Sequence, residues 1–129
     1  LKDGVEVTIV LSEKGDIPMV PDGVWRVGYQ LMKQGAKVYM YTGGFNHAKV
    51  MSIDGQFCTV GSANLNSRSL NYDYESNLFI FGSEDTEELN MLIEADKARS
   101  FLLTKEKYKA RSWWRRFCGW LVTVATPIM

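Results

Sequence analysis

The sequence predicts a layered α/β domain in which helices flank a mixed β-sheet, and three observations predict it. Short β-branched or alternating segments recur along the chain, a helical period of apolar residues separates the first two of them, and a second helical period follows the last. At 129 residues the chain is long enough for one real hydrophobic core and too short for two independent ones, so a single compact domain is expected. No low-complexity tract or internal repeat competes with that reading.

Val5 to Leu11 alternates and is rich in β-branched residues, which marks a strand, and Gly15 to Gly23, with Pro18 and Pro21, reads as a loop. Val24, Val27, Gly28, Leu31 and Met32 recur at helical spacing and stop at Gly35, after which Lys37 to Tyr41 resumes as a strand. Beyond Gly43-Gly44, His47 to Ile53 reads as a strand, Asp54-Gly55 as a tight hairpin turn and Gln56 to Val60 as the returning strand. Ser76 to Phe81 makes a further strand. Asp85 to Arg99 is a predicted helix with Leu89, Leu92 and Ile93 on one face and Asp85 and Glu88 spaced like a capping box. Residues 1–104 thus read as the folded domain and 105–129 as a basic, tryptophan-rich C-terminal helix.

Formal net charge is zero, but the charges are segregated. Glu84, Asp85, Glu87, Glu88, Glu94 and Asp96 form an acidic block, and Lys105, Lys107, Lys109, Arg111, Arg115 and Arg116 a basic one, so any partner feels a local field. Solvated helix faces explain the acidic block equally well. Cys58 and Cys118 match no zinc or redox spacing, which makes reduced thiols on the cytosolic side the default. The chain opens on Leu1 with no charged leader and no cleavage-site pattern, so it reads as lacking a signal peptide and as a piece of a longer protein. Phe117 to Met129 is apolar but falls short of the roughly 20 residues that span a bilayer, and it contains Gly119 and Pro127.

The segment that carries chemistry is His47-Ala-Lys49-Val-Met-Ser-Ile-Asp54, followed by Gly61-Ser62-Ala-Asn64. On a strand, residues two apart share a face, so His47 and Lys49 are expected to project together into one pocket. Asp54 has the opposite parity and sits where an Asp-Gly turn favours aspartate, which assigns it support rather than proton transfer. Ser62 and Asn64 follow a glycine at a strand end and are expected to open a short helix, where backbone N–H groups and small polar side chains hold a phosphate oxygen or simply cap the helix. A lone histidine is more often structural than catalytic; the joint spacing of histidine, lysine, aspartate and Gly-Ser-x-Asn is what makes the pattern specific.

That pattern resembles the phospholipase D superfamily, whose members cleave or exchange phosphodiesters, and implies a phospholipase D-like layered domain. The likeness covers nearly the whole chain. Leu31 to Lys49, with its Gly-Ala-Lys-Val-Tyr-Met-Tyr stretch, is similar to the approach to the second such motif in bacterial cardiolipin synthases. So are Gly61 to Leu70 with Asn66, Arg68 and Ser69, Glu75 before the next strand, and the tail from Tyr108 to Met129 with Arg111, Trp113, Arg116 and Pro127. In that family two motifs face each other across one site; one histidine attacks phosphorus and the other protonates the leaving alcohol. The resemblance implies His47, Lys49 and Asp54 as catalytic-motif residues, Glu75 as a carboxylate that fixes the His47 tautomer, and Ser62 and Asn64 as phosphate-binding groups. It implies phosphatidyl transfer between two phosphatidylglycerol molecules, giving cardiolipin and glycerol, at a bacterial cell membrane with the catalytic domain on the cytoplasmic side.

The departure is one of counting: the chain holds one histidine, so the second must come from an N-terminal half or from a second copy of the chain. By analogy with the second motif, His47 is expected to be the general acid and later the base, while in a symmetric dimer it could play either part, acid or nucleophile. No cofactor or metal is implied, since catalytic zinc takes three protein ligands. On a helix from Arg111 to Thr126, the residues Trp113, Trp114, Phe117, Trp120, Leu121 and Val124 fall on one side and Arg111, Arg115, Arg116, Gly119 and Thr123 on the other. Such a helix suits a membrane surface rich in anionic lipid, or packs its apolar stripe on the domain's own sheet. Two rivals stand beside phosphatidyl transfer: a homodimeric single-motif nuclease or phosphodiesterase, and an inert structural or lipid-binding half. Nucleic acid is not an expected partner, because the cations gather in the tryptophan-rich tail rather than along a substrate track.

Overall fold

A computed structural model describes residues 4–125, so Thr126 and Pro127 of the expected tail lie outside the described residues. Along the chain the elements are β1 (Thr8–Ser12), α1 (Val20–Lys33), β2 (Lys37–Tyr41), β3 (Val50–Ile53), β4 (Phe57–Gly61), α2 (Ser67–Asn71), β5 (Asn77–Phe81), α3 (Ser83–Ala98), β6 (Ser100–Leu102), α4 (Lys105–Ala110) and α5 (Trp113–Ala125). The architecture is mixed α/β, as expected. The strands, however, form two three-stranded sheets rather than one, β1-β2-β6 and β3-β4-β5. Each sheet belongs to its own compact unit: among the described residues, one unit runs up to Asn46 and resumes at Asp96, and the other is His47–Ala95. Alternation along a strand fixes which face is apolar but leaves open which strands pair.

The first unit is a strand, helix, strand turn. β1 and β2 pair in parallel from Thr8↔Lys37 to Ser12↔Tyr41, and β6 adds antiparallel to β2. Successive side chains on β2 alternate in direction, so Val38 and Met40, both 0% exposed, point together at Trp25, Leu103 and Tyr108. Burying each such side chain stabilises the fold by about 1.5–3 kcal/mol. Tyr29 of α1 stacks on Tyr108 of α4 at 4.0 Å between ring centroids.

Helix α1 starts four residues before the expected Val24, inside the predicted loop, because Pro21 occupies its first turn, where a missing N–H costs nothing. It ends as expected at Gly35 (φ 103°), with Gly35 N–H donating to the Met32 carbonyl and Ala36 N–H to that of Leu31, a Schellman closure.

The expected single tail helix is two helices, broken where Arg111 turns extended (φ −67°, ψ 143°). Helix α5 docks on α1 through its polar side. An added Cβ at Gly119 would lie 2.4 Å from the backbone oxygen of Asp22, and one at Gly23 would lie 2.6 Å from Val122 Cγ1, so the two helices meet at closest approach through glycines. Arg111 seals this contact. Its guanidinium lies 4.2 Å over the Trp25 ring and ion-pairs with Asp22, the two side chains being only 14% and 11% exposed. Burial pulls the Arg111 guanidinium below its ordinary pKa, and the Asp22 carboxylate works against that shift. Trp113, Trp114, Phe117, Trp120, Leu121 and Val124 are left exposed on the other side of α5, so the apolar stripe does not pack on the domain's own sheet.

In the second unit the Asp54-Gly55 hairpin forms as expected. Asp54 (φ 51°) and Gly55 (φ 65°) both take the left-handed conformation, Gln56 N–H donates to the Ile53 carbonyl at 3.1 Å, and pairing resumes at Ile53↔Phe57, so Asp54–Gln56 make a three-residue connection. Strand β3 is shorter than predicted: it begins at Val50, not His47. Helix α3 begins at Ser83, which places Asp85 in the first turn rather than at the cap, and Thr86, fully buried, donates its hydroxyl to the Gly82 carbonyl. Phe57 packs against Phe79 and Phe81 on one face of the sheet. Met51, Ile53, Phe79 and Phe81 on that face and Val50, Val60 and Leu78 on the other remain exposed.

The glycine contact between α1 and α5 yields a stability prediction. Gly119→Ala meets backbone at 2.4 Å and cannot be relieved by a rotamer change, so urea unfolding should show a loss of about 2 kcal/mol. Unchanged stability would mean that α5 does not rest on α1 in solution.

Candidate active site

All the candidate residues lie in the second unit, on the hairpin and the loops that leave it. The hairpin ladder continues one step past Val50↔Val60, because Gly61 N–H donates to the Lys49 carbonyl at 3.1 Å. Lys49 is therefore held by the sheet, half-buried, while His47 lies exposed in the coil before it. The expected shared strand face of His47 and Lys49 is corrected: no strand runs through 47–49. Lys49 Nζ instead curls back to donate to the His47 carbonyl at 2.8 Å, which keeps the cation beside the histidine's backbone.

Asp54 occupies the turn at the opposite end of the hairpin. Five residues of extended chain from Lys49 amount to about 16 Å, beyond the reach of a phosphate held by that lysine. Its geometry is that of a residue whose side chain tolerates the left-handed conformation, in keeping with support.

Ser62 follows β4 and meets the start of β5. Its N–H donates to the Ser76 carbonyl at 3.0 Å, its hydroxyl oxygen accepts from Ser76 N–H at 3.0 Å, and its O–H donates to Glu75 Oε2 at 2.5 Å. Ser62 and Asn64 do not open the next helix as expected. That role falls to Asn66, whose Oδ1 accepts from Ser69 N–H at 2.8 Å, leaving Asn64 half-buried in the connecting coil.

Glu75 is anchored rather than free. Hydrogen bonds from Ser62 first, and from Ser69, hold its carboxyl below the ordinary value of 4.5, and the Lys49 charge adds to the effect. Its Oε2 accepts from the Ser62 hydroxyl. The structure therefore brings together Lys49, Ser62 and Glu75, ties His47 to Lys49 through a backbone carbonyl, and sets Asp54 apart.

Two further contributors appear, of which the sequence singles out Ser69 without a role and does not single out Asn77. Ser69, buried in α2, is the second donor to Glu75. Asn77 bridges the strands: its Oδ1 accepts from Ala63 N–H and its Nδ2 donates to Thr59 Oγ1, both at 3.2 Å. A Cβ at Gly61 would lie 2.2 Å from Asn77 Oδ1 and 2.4 Å from the Ser76 carbonyl oxygen, so only glycine admits this bridge. The available signal was an asparagine, poor in strands, heading the otherwise apolar Asn77-Leu-Phe-Ile-Phe. Among the described residues, no three His, Cys, Asp or Glu side chains gather as a metal ligand set, and Cys58 and Cys118 are free thiols, each buried.

Comparison with known proteins places these features. Residues 1–97 match the family described as the phospholipase D-like domain of cardiolipin synthase. A cardiolipin synthase of Listeria monocytogenes is 33% identical over 126 residues, which is 98% of this chain and 26% of that protein. Cardiolipin synthase 1 of Staphylococcus epidermidis is 34% identical over the same extents. The chain thus spans about a quarter of the length of these relatives. Among solved structures, a phospholipase D family member, Nuc, from Salmonella typhimurium superposes with a TM-score of 0.68 over 81% of this chain and 68% of its own, at 19% identity, a likeness of fold.

Two measurements test the site's construction. Asp54→Asn should keep the hairpin within about 0.5 kcal/mol of the parent, whereas Asp54→Ala, forced into a left-handed turn, should lose about 1–2 kcal/mol in a denaturant titration; equal losses would remove the turn role. Glu75 carries its charge more easily in the folded chain than unfolded. The stabilisation this provides is therefore complete above the unfolded carboxylate's pKa and is lost as pH falls through the lower folded value. Carboxyl NMR titration of Ser62→Ala should move the Glu75 midpoint upward; an unmoved midpoint would deny the hydrogen bond its role.

Proposed function

We propose, on the premise that this chain belongs to the phospholipase D-like domain family of cardiolipin synthases, that it is the second, motif-bearing part of an enzyme that transfers a phosphatidyl group from one phosphatidylglycerol to another. The observation that carries the proposal is the clustering of Lys49, Ser62 and Glu75 at the open end of the hairpin, next to the single histidine of the chain. One cation, one hydroxyl and one imidazole within a short stretch are the groups that phosphodiester exchange requires.

In this reading a histidine of the absent half attacks phosphorus. The bond from phosphorus to the departing glycerol oxygen breaks, and His47, as imidazolium, gives that oxygen its proton. The phosphohistidine then receives a hydroxyl of the second phosphatidylglycerol. His47, now neutral, takes the hydroxyl proton, the phosphorus–nitrogen bond breaks, and cardiolipin leaves. Lys49 balances the charge on the non-bridging oxygens, with Ser62 and Asn64 as phosphate contacts, Glu75 steadying the pocket and Asp54 the hairpin. No cofactor enters this chemistry. The missing partner is the N-terminal half of the same protein, in keeping with a chain about a quarter the length of its relatives. The exposed apolar faces of β3-β4-β5 are what such a partner would cover.

Residues 1–104 then form the catalytic part, and the tail 105–129 meets the membrane. The exposed tryptophan and phenylalanine stripe of α5, with Arg115 and Arg116 in the same helix, supports contact with an anionic lipid surface at the cytoplasmic side of a bacterial membrane. Among the described residues no helix is long and apolar enough to cross a membrane.

The test supplies phosphatidylglycerol vesicles to the chain alone, at several concentrations, and to the chain mixed with the N-terminal half of a Listeria relative. Cardiolipin and glycerol should form only in the mixture, and His47→Ala should lower the rate by about 10³-fold. Trp113→Ser with Trp120→Ser should weaken vesicle binding by about tenfold. Product from the chain alone, rising faster than linearly with protein, would assign the second histidine to a homodimer. Cleaved DNA without lipid product would assign a nuclease, and no product in the mixture an inert half.

A further inference from the structure

We infer that Ser12, Asn46 and Asp96 are positioning residues for His47: together they clamp the peptide that leads into the histidine. Nothing in the chemistry assigned above uses these three. Ser12 is the last residue of β1, and its hydroxyl serves Asn46 in both directions. It accepts from Asn46 N–H at 2.7 Å and donates to the Asn46 carbonyl at 3.0 Å.

The second of these bonds falls on the peptide group shared with His47. Because a peptide unit is planar from one Cα to the next, holding its carbonyl also holds the His47 nitrogen and Cα. The first bond fixes the preceding plane, so Asn46 cannot swivel. The orientation delivered to His47 is therefore settled before the histidine's own torsions begin.

The Asn46 side chain adds the third hold. Its Nδ2 donates to Asp96 Oδ2 at 2.7 Å, across fifty positions of sequence. Asp96 is itself immobilised: Arg99 Nη2 donates to its other carboxylate oxygen at 2.9 Å, and Ser100 Oγ donates to its carbonyl at 2.7 Å. Asn46 and Asp96 are also the residues at which the chain leaves the first unit and returns to it. The clamp thus closes the base of the excursion that carries every candidate site residue. Asp96 reads in the sequence as one more member of an acidic block; its contacts set it apart from the others.

Misplacing a catalytic group by an ångström can cost about a hundredfold in rate. The clamp is built on a strand end, whose geometry the sheet fixes: beyond Ser12, Glu13 N–H still donates to the Tyr41 carbonyl at 3.0 Å.

The test compares Ser12→Ala, Ser12→Thr and Asn46→Asp by ¹⁵N relaxation and amide hydrogen exchange on this chain. In Ser12→Ala the Asn46 amide should exchange at least tenfold faster. The His47 backbone order parameter should fall from about 0.85 toward 0.6, while Thr59 and Val60 amides in β4 stay as in the parent. Ser12→Thr keeps a hydroxyl and should restore both readouts, and Asn46→Asp, which sets a carboxylate against Asp96, should loosen His47 even if Ser12→Ala fails to fold. His47 as ordered as in the parent in Ser12→Ala and Asn46→Asp, or loosening spread equally through β4, would overturn the inference.

A second arm rests on the phosphatidyl-transfer reading: in the two-half mixture Ser12→Ala should lower kcat about tenfold or more and leave KM for phosphatidylglycerol unchanged. Absence of transfer by the parent mixture would count against that reading and leave the relaxation result to decide the clamp.

Discussion

The tight turn at Asp54-Gly55 is the constraint on which the candidate site depends. With Asp54 and Gly55 both left-handed, the three-residue connection Asp54–Gln56 sets Ile53 against Phe57, and the ladder carries that register to Lys49 against Gly61. A slip of one residue would turn Lys49 to the opposite face and part its carbonyl from Gly61 N–H. The same register places Gly61 against Asn77, and the absence of a side chain at Gly61 lets Asn77 cross to Ala63 and Thr59. Ser62 then has only one direction to take, toward Ser76 and Glu75. A backbone preference at the hairpin tip thus becomes the placement of a cation, a hydroxyl and a carboxylate at its open end.

The first unit solves a different problem, how to attach an amphipathic helix by its polar side. Apolar stripes ordinarily face inward because burial drives them there. In α5 the order is reversed: glycine permits backbone contact with α1, and Arg111 supplies a charge that Trp25 and Asp22 can share. An ion pair so little exposed is costly to desolvate, and the ring beneath the guanidinium offsets part of that cost. The arrangement leaves the tryptophan face of α5 exposed, a point that the composition of the basic tail leaves open.

Much of this was legible in the sequence, and what was not has physical causes. Turn chemistry and helix stops are local, so Asp54-Gly55 and Gly35 could be read from the chain. The spacing of His47, Lys49, Asp54, Ser62 and Asn64 identified the segment, and the resemblance added Glu75; the structure gathers Lys49, Ser62 and Glu75 at one end of the hairpin. The contacts between these residues were less legible. The strand expected through His47 fails because pairing, not alternation, decides where a strand starts, and β4 runs out of partners at Lys49. Strand β6 has three residues, too few to show a period, and exists because β2 offers an open edge. Ser69, Asn77 and the Ser12–Asn46–Asp96 clamp act across loops and between elements, and only their contacts distinguish them from polar residues of no consequence.

The uncovered faces of the β3-β4-β5 sheet have a colloidal consequence. Phe81 is 79% exposed and Leu78 64%, on opposite sides of a sheet whose outer strands, among the described residues, each pair on one side only. With fifteen acidic and fifteen basic residues the chain carries no net charge near neutral pH, so long-range repulsion does not keep copies apart. Its solubility in isolation is therefore limited by those faces, and a pH well removed from the isoelectric point near 6.8 is the physical route to a monodisperse sample.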